Sequence, residues 1–381
     1  MNVKKIISVL LSCALVLSLP ITAYAADKKL FSDMSLEDLQ KFAKKNTYSY
    51  KIYEYEKENA EMQKDGKKNE LEYYEYLLRS TSKSDEKYYE YKLKVSELKK
   101  EAGLAKMDFE YYIEDKEDID RKLLDMSLKS KYYELCRLDG QRKNQQLKVN
   151  HLKKRAEIET VKLKSGQSTD NEKQLADMSL KLAENELSAV KKSMGSKKRE
   201  LADFLNQYED TDNFSVKCSL PDKISYQKFD SKKLWKKFSE NSFEFEKERR
   251  GMEFDGDHLE EVKKIYGEDS DTYKSCKNSY EIDKLNFEAR ENEYKAKIAA
   301  LISDYDTAWL EYAACLEYNK ILRDKLSILK VSYDSGNVSE LDYLEQYSDI
   351  KAEMSKIDNA LVKADLLGDR LKLIEEGVLS E

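Results

Sequence analysis

The sequence predicts an all-α chain built as two tandem repeats of long antiparallel coiled-coil hairpins, with little or no β structure. Three observations carry this. Only two prolines occur in 381 residues, and 38% of residues are charged with both signs interspersed, which is how long solvated helices are written. Apolar residues recur at alternating steps of three and four over many heptads, the mark of a coiled-coil seam. Finally, two stretches share one design: LKSGQSTDNEKQL at Leu163 to Leu175 and LKVSYDSGNVSELDYLE at Leu329 to Glu345. Each has a glycine turn (Gly166, Gly336), a hydroxyl cap (Thr169, Ser339) and a carboxylate three residues on (Glu172, Asp342). Two matching tips, each followed by a heptad helix, indicate an internal duplication.

In chain order, residues 1–25 read as a signal peptide. Lys4 and Lys5 open it, Ile6 to Leu19 is the apolar run, and Ala23-Tyr24-Ala25 is a small-x-small cleavage site. Leu10-Leu11-Ser12-Cys13 also resembles a lipoprotein box, but the apolar run continues beyond Cys13 to the conventional site. Loss of Lys4 and Lys5 takes the formal charge from −7 to −9. With no basic block among aromatics, nucleic acid is not an expected partner.

The first repeat spans 26–206. Met34 to about Gln63 reads as a helix, the pattern loosens at Asp65-Gly66, and Asn69 to Arg79 resumes as a short helix. Ser80 to Asp85 is a polar break. From Tyr88 a very long helix runs to Lys164, seamed first by Tyr91, Leu98, Ala105, Tyr112, Ile119 and Met126, with a break near Glu114 to Asp118 or near Gly140. The return helix is Thr169 to about Asn206. Residues 207–230 form the linker, with one short strand at Phe214 to Cys218.

The second repeat spans 231–381. KLWKKFSEN at Lys233 echoes DLQKFAKKN at Asp38 and places Asn241 on Asn46. Asp255-Gly256 echoes Asp65-Gly66. The helix from Asp271 to Ser335 has the cleanest seam, including Ile298, Tyr305, Tyr312, Leu322 and Leu329, with Asn319 as its lone strongly polar member, a device that fixes register. The last helix runs from Ser339 to about Glu376.

The same residues argue against catalysis. His151 and His258 fall in different repeats, neither with a ligand-spaced partner, and no phosphate-binding glycine loop or nucleophile elbow occurs. No enzyme, cofactor or metal site is expected. Cys136, Cys218, Cys276 and Cys315 show no CxxC or metal spacing, and the sequence leaves any disulfide pairing among them open. The tyrosine pairs are read as packing, since Tyr91, Tyr112 and Tyr133 recur every three heptads.

At the tips the chain resembles the TolC-like outer-membrane efflux proteins. The segment Tyr333-Asp334-Ser335-Gly336-Asn337-Val338-Ser339-Glu340-Leu341-Asp342-Tyr343-Leu344 is similar to that family's aromatic-x-x-Gly-x-x-Ser/Thr-x-Leu/Val-Asp signature, and Val161 to Asp170 is a weaker copy. The resemblance implies a homotrimeric helical tube in the cell envelope. It also implies a constriction formed by Asp342 and Glu345. The tips, Ser165-Gly166-Gln167 and Ser335-Gly336-Asn337, would be docking points for a membrane-fusion adaptor working with an inner-membrane transporter. Spacing alone favours reading Asp342 and Glu345 as helix-start carboxylates that stabilise the macrodipole; the resemblance brings the constriction reading level with it. One departure stands out. The family inserts β-hairpins that span the outer membrane; the corresponding stretches here, about Lys64 to Asp85 and Phe254 to Asp271, are short, charged and helix-patterned. Two functions remain open on this reading: an efflux or export channel component, and a non-conducting coiled-coil scaffold of the envelope.

Overall fold

The computed structural model describes residues 33–46, 48–206 and 214–379; the signal segment, Cys13 and residues 207–213 lie outside them. The first repeat comprises α1 (Leu36–Asn46), α2 (Tyr48–Ser80), α3 (Glu86–Glu114), α4 (Lys116–Lys164) and α5 (Asp170–Phe204). The second comprises α6 (Ser231–Asn241), α7 (Phe243–Tyr266), α8 (Asp271–Asp334), α9 (Glu340–Met354) and α10 (Lys356–Glu375). The duplication is visible in the elements: α1 and α6 are both 11 residues long and end on the aligned Asn46 and Asn241. The 64 residues of α8 do the work of α3 and α4 together and span roughly 100 Å at 1.5 Å per residue.

The expected helix from Met34 to about Gln63 is two, α1 ending at Asn46 and α2 beginning at Tyr48; three further differences from the sequence reading have local causes. Helices α2 and α7 run unbroken through Gly66 and Gly256. A mid-helix glycine costs only about 1 kcal/mol relative to alanine, and α2 is held to α3 on both sides of it, by Lys64 over the Phe109 ring and by Lys67 with Glu101. The expected single last helix is divided at Ser355, whose hydroxyl donates to the Ala352 carbonyl while its own carbonyl accepts from Asp358 three residues on. A serine hydroxyl that takes a carbonyl of the preceding turn competes with the α ladder. The linker strand reduces to one parallel bridge, Met34 to Val216, because the chain beside it turns into α1 two residues later. Of the two candidate breaks in the long helix, the one at Asp115 is present, and α4 passes through Gly140.

Away from the middle of the molecule the helices form single layers. In the hairpin half the order is α2, α3, α7 and the first half of α8; in the tip half it is α5, α4, α9 and the second half of α8. Neighbours in each layer run antiparallel. Contact between α3 and α7 is close enough that a Cβ on Gly103 would lie 2.5 Å from the Phe254 ring. Lys100–Asp255 and Lys92–Glu261, both at 2.6 Å, flank it.

Among the described residues, a thicker core exists only at the waist. There α1 and the linker close over α4 and α5, burying Leu39, Leu128, Tyr132, Leu201 and Phe214. The second repeat repeats this with α6 over α8 and α10, burying Leu234, Phe238, Ile298, Tyr305 and Leu371. The linker is tied down by the Tyr132 hydroxyl, which donates to the Lys217 carbonyl at 2.7 Å and accepts from the Ser219 amide at 3.0 Å. Those bonds bracket Cys218 and bring it against Cys136, one turn along α4 from Tyr132. The contact with Cys218, together with burial, pushes the Cys136 thiol well above its ordinary range.

The repeats are also joined by charge at the waist. Lys129 of α4 contacts Asp365 at 2.7 Å and Asp369 at 2.5 Å on α10, and the Tyr133 hydroxyl donates to Asp365 at 2.7 Å. Burial disfavours ionisation of Asp369, but its bonds to Lys129 and Lys372 outweigh this and leave its pKa below 3.8.

Two predictions follow from the waist. Lys129→Met takes from Asp365 and Asp369 the cation they share, leaving them the Tyr133 hydroxyl and Lys372 respectively, and we expect about 2 kcal/mol of destabilisation in urea unfolding, less than a fully buried pair would lose. Because the Asp369 pKa is depressed on folding, its contribution is complete above the unfolded value near 4 and is lost as pH falls through the folded value. The acid limb of wild-type stability should therefore be shallower in Lys129→Met. For the cysteines, a thiol oxidant added to the folded protein should join Cys136 to Cys218, seen as a cross-linked tryptic peptide pair, and leave Cys276 and Cys315 alkylatable. A pairing that includes Cys276 or Cys315 would contradict this arrangement.

Candidate functional site

Both tips fold by the same hydrogen bonds. At the end of α4 the Gly166 amide donates to Leu163 O at 3.1 Å and the Gln167 amide to Lys162 O at 2.8 Å; at the end of α8, Gly336 donates to Tyr333 O and Asn337 to Ser332 O, each at 2.9 Å. This is the Schellman pattern. It requires a left-handed residue at its corner, and Gly166 and Gly336 have φ of +71° and +74°. No other atom lies within 4 Å of a Cβ built at either glycine, so conformation, not space, demands glycine here. Ser165 and Ser335 repeat the match: each hydroxyl donates to the carbonyl three residues back, Lys162 and Ser332. All six tip residues singled out in the sequence are exposed.

The return helices start differently. Thr169 and Glu172 form a full capping box, with the Glu172 carboxylate accepting from the Thr169 amide at 2.7 Å. That backbone bond, with help from the Thr169 and Ser168 hydroxyls, holds Glu172 below the usual carboxylate range. At the second tip, Ser339 accepts from the Asp342 amide at 3.2 Å and donates to the Asp342 carboxylate at 2.7 Å. Asp342 is thus engaged in its own helix start.

Glu345 is not. It is exposed, and its carboxylate lies 4.0 Å from Nε2 of His151 on α4, a ring that is itself buried. One turn nearer the tip, Lys154 of α4 reaches Glu340 of α9 at 3.1 Å. The two candidate constriction carboxylates therefore share a face of α9 but have different partners. The cross-helix partners His151 and Lys154 were not legible in the sequence, since nothing local ties residue 151 to residue 345.

A second feature that the sequence did not disclose is an aromatic stack. Tyr333 of α8 lies on Tyr343 of α9 with ring centroids 4.4 Å apart, and Tyr343 on Tyr347 at 5.7 Å. Offset aromatic pairs add about 0.5–1.5 kcal/mol beyond area burial. The stack fastens α8 to α9 at the second tip. Beside it a shallow groove between α8 and α9 is walled by Ile328, Leu329, Val338 and Ile350.

No protein-family model and no curated protein matches the sequence. Solved structures do match the fold. The outer membrane protein VceC from Vibrio cholerae covers 91% of this chain and 97% of its own, at 13% identity and a TM-score of 0.56. The Campylobacter jejuni CmeC outer membrane channel covers 96% and 95%, at 13% identity and a TM-score of 0.60. The Neisseria gonorrhoeae MtrE outer membrane channel, in its open state, covers 91% and 90%, at 13% identity and a TM-score of 0.54. At such identities the likeness is one of architecture, and it extends over nearly the whole described chain: the protein has the helical fold of TolC-like outer-membrane channels, in a divergent form.

Proposed function

We propose that this chain is the protomer of an oligomeric helical tube in the cell envelope, acting as an export-channel component. Its tips at Ser165-Gly166-Gln167 and Ser335-Gly336-Asn337 dock a membrane-fusion adaptor, and Asp342 and Glu345 ring the mouth. The observation that carries the reading is the state of the two outer helices in the tip half. Helix α5 leaves Leu175, Met178 and Leu182 exposed, and α8 leaves Ile321, Ile328 and Val331 exposed, all at heptad spacing. They lie on opposite edges of the layer. Unpaired apolar stripes of this kind on opposite edges suit head-to-tail association that closes into a ring.

The heights of the two edges agree. Lys148 meets Glu186, His151 meets Glu345 and Tyr333 meets Tyr343; carried across the layer, these contacts put Leu182 level with Val331. Wall helices alternate in direction, and α5 against α8 of the next copy continues the alternation.

The tube is tested with Leu182→Cys and Val331→Cys in one chain. Oxidative cross-linking should give a ladder ending at the trimer, with each single variant as control. A monomer by light scattering and no ladder would remove the tube. Docking is tested separately. Gly336→Ala forces a left-handed alanine, costing about 1 kcal/mol locally. It should leave helicity and the ladder intact while removing cross-linking to a membrane-fusion adaptor. Retained cross-linking would count against docking at this tip.

A further inference from the structure

The hairpin half raises a question that the tip half does not. The stretches where the resemblance implies strands are here the hairpins α2–α3 and α7–α8, so something must satisfy their outer faces. We infer that the hairpin half is also a wall between copies: α2 of one chain pairs with the first half of α8 of the next as an antiparallel coiled coil. The inference rests on the tube proposed above and extends it to the part of the molecule that the tips do not reach.

The first observation is the seam on each edge. On α2, the positions at alternating steps of three and four from Ile52 to Tyr76 are all exposed, Tyr76 by 67%. On α8, the same spacing from Ser275 to Ala299 is also exposed throughout, Leu285 by 63%. Eight positions lie on each helix, and none of the sixteen is charged, in a chain where 38% of residues are. A solvated helix face has no reason to exclude charge for four heptads; a coiled-coil seam does. Within its own chain each edge helix already uses its opposite face, α2 on α3 and α8 on α7.

The second observation is register, which is fixed independently of the seams. Tyr74 lies against Tyr91, Lys92 reaches Glu261, and Gly256 faces Tyr280. Followed across the layer, these contacts place Tyr74 on one edge at the height of Lys274 and Ser275 on the other. Antiparallel seams mesh only at registers seven residues apart, and the one at this height pairs Tyr76 with Ser275 and Tyr73 with Asn278. It continues with Gly66 opposite Leu285 and Met62 opposite Ala289. Further down, Ile52 meets Ala299 and Asn59 meets Asn292. Large faces small along the seam, so the layers fill without clash. Gly66, which has no atom within 4 Å of a Cβ, becomes the hollow for Leu285. Asn59 against Asn292 is the one layer with an amide on both sides, which fixes register.

At the flanks of this register Glu72 meets Glu281 and Asp65 meets Glu288. Glu58 opposite Lys295 is attractive, but Arg79 opposite Lys274 and Glu56 opposite Glu293 add repulsion; the pairing is therefore uncharged at its centre and on balance repulsive at its rim, and it strengthens as salt screens the rim.

Met62→Cys and Ala289→Cys in one chain should cross-link most of the protein into the covalent ladder given by the tip-half pair, with yield rising as salt is raised. Glu61→Cys with Ala289→Cys, one residue off the seam, should not. Far-UV dichroism checks folding, and Asn59→Cys with Asn292→Cys reports the same seam if the first pair folds poorly. Cross-linking in the tip half with none from either hairpin-half pair would overturn this inference and leave the tube standing. Absence from both halves would remove both.

Discussion

Packing of heptad seams is the constraint on which this structure depends. A helix of more than sixty residues gains little from propensity alone and is held by what lies along it. In a single layer of helices each interior member has two neighbours, and each edge member has one. Internal seams are satisfied within the chain: Val149 and Ala183 near the tips, Val95 and Ala105 in the hairpins. Edge seams are not, and no rearrangement of a one-layer fold removes its edges. Only closure does.

The waist is where the chain departs from this one-layer plan. It is the place where short helices, the linker and ring stacks such as Tyr226 on Tyr305 build a core several side chains deep. Its position between two long thin arms makes it the element that sets their relative orientation. The Lys129–Asp365–Asp369 cluster joins the first repeat to the second there. Tyr132, by holding both sides of Cys218, fixes the linker to the same point.

What was legible in the sequence was what local spacing encodes. The 3–4 repeat gave helices and their buried faces, hydroxyl caps gave the starts at Thr169 and Ser339, and glycine corners gave the tips. The repeat alignment gave two short helices ending on Asn46 and Asn241. What was not legible depends on distant residues. Gly66 reads as a break until α3 is laid beside α2. His151 has no visible partner until α9 crosses α4 and brings Glu345. The choice of Cys218 for Cys136 follows from a tyrosine hydroxyl that holds a linker 85 residues away. The division at Ser355 is a hydroxyl that competes with the backbone, and a lone serine in a helix carries no advance notice of which carbonyl it will take.

The tips and the hairpins place different demands on the chain, and this bears on what the molecule can do. Each tip is a rigid corner: two Schellman bonds, a serine on the carbonyl three back, and a glycine chosen for its φ. Such a corner presents the same backbone shape twice per chain, which suits recognition of shape by a partner over chemistry at a single residue. The hairpin end is the opposite. It leaves an uncharged exposed stripe on each of its edge helices. Among the described residues no helix is long and apolar enough to cross a membrane. In the tube proposed above, with both ends helical and the sideways faces matched in height and bulk, the same rule of antiparallel seams governs the molecule from tip to hairpin. The structure then needs one kind of contact, repeated, to hold its full length.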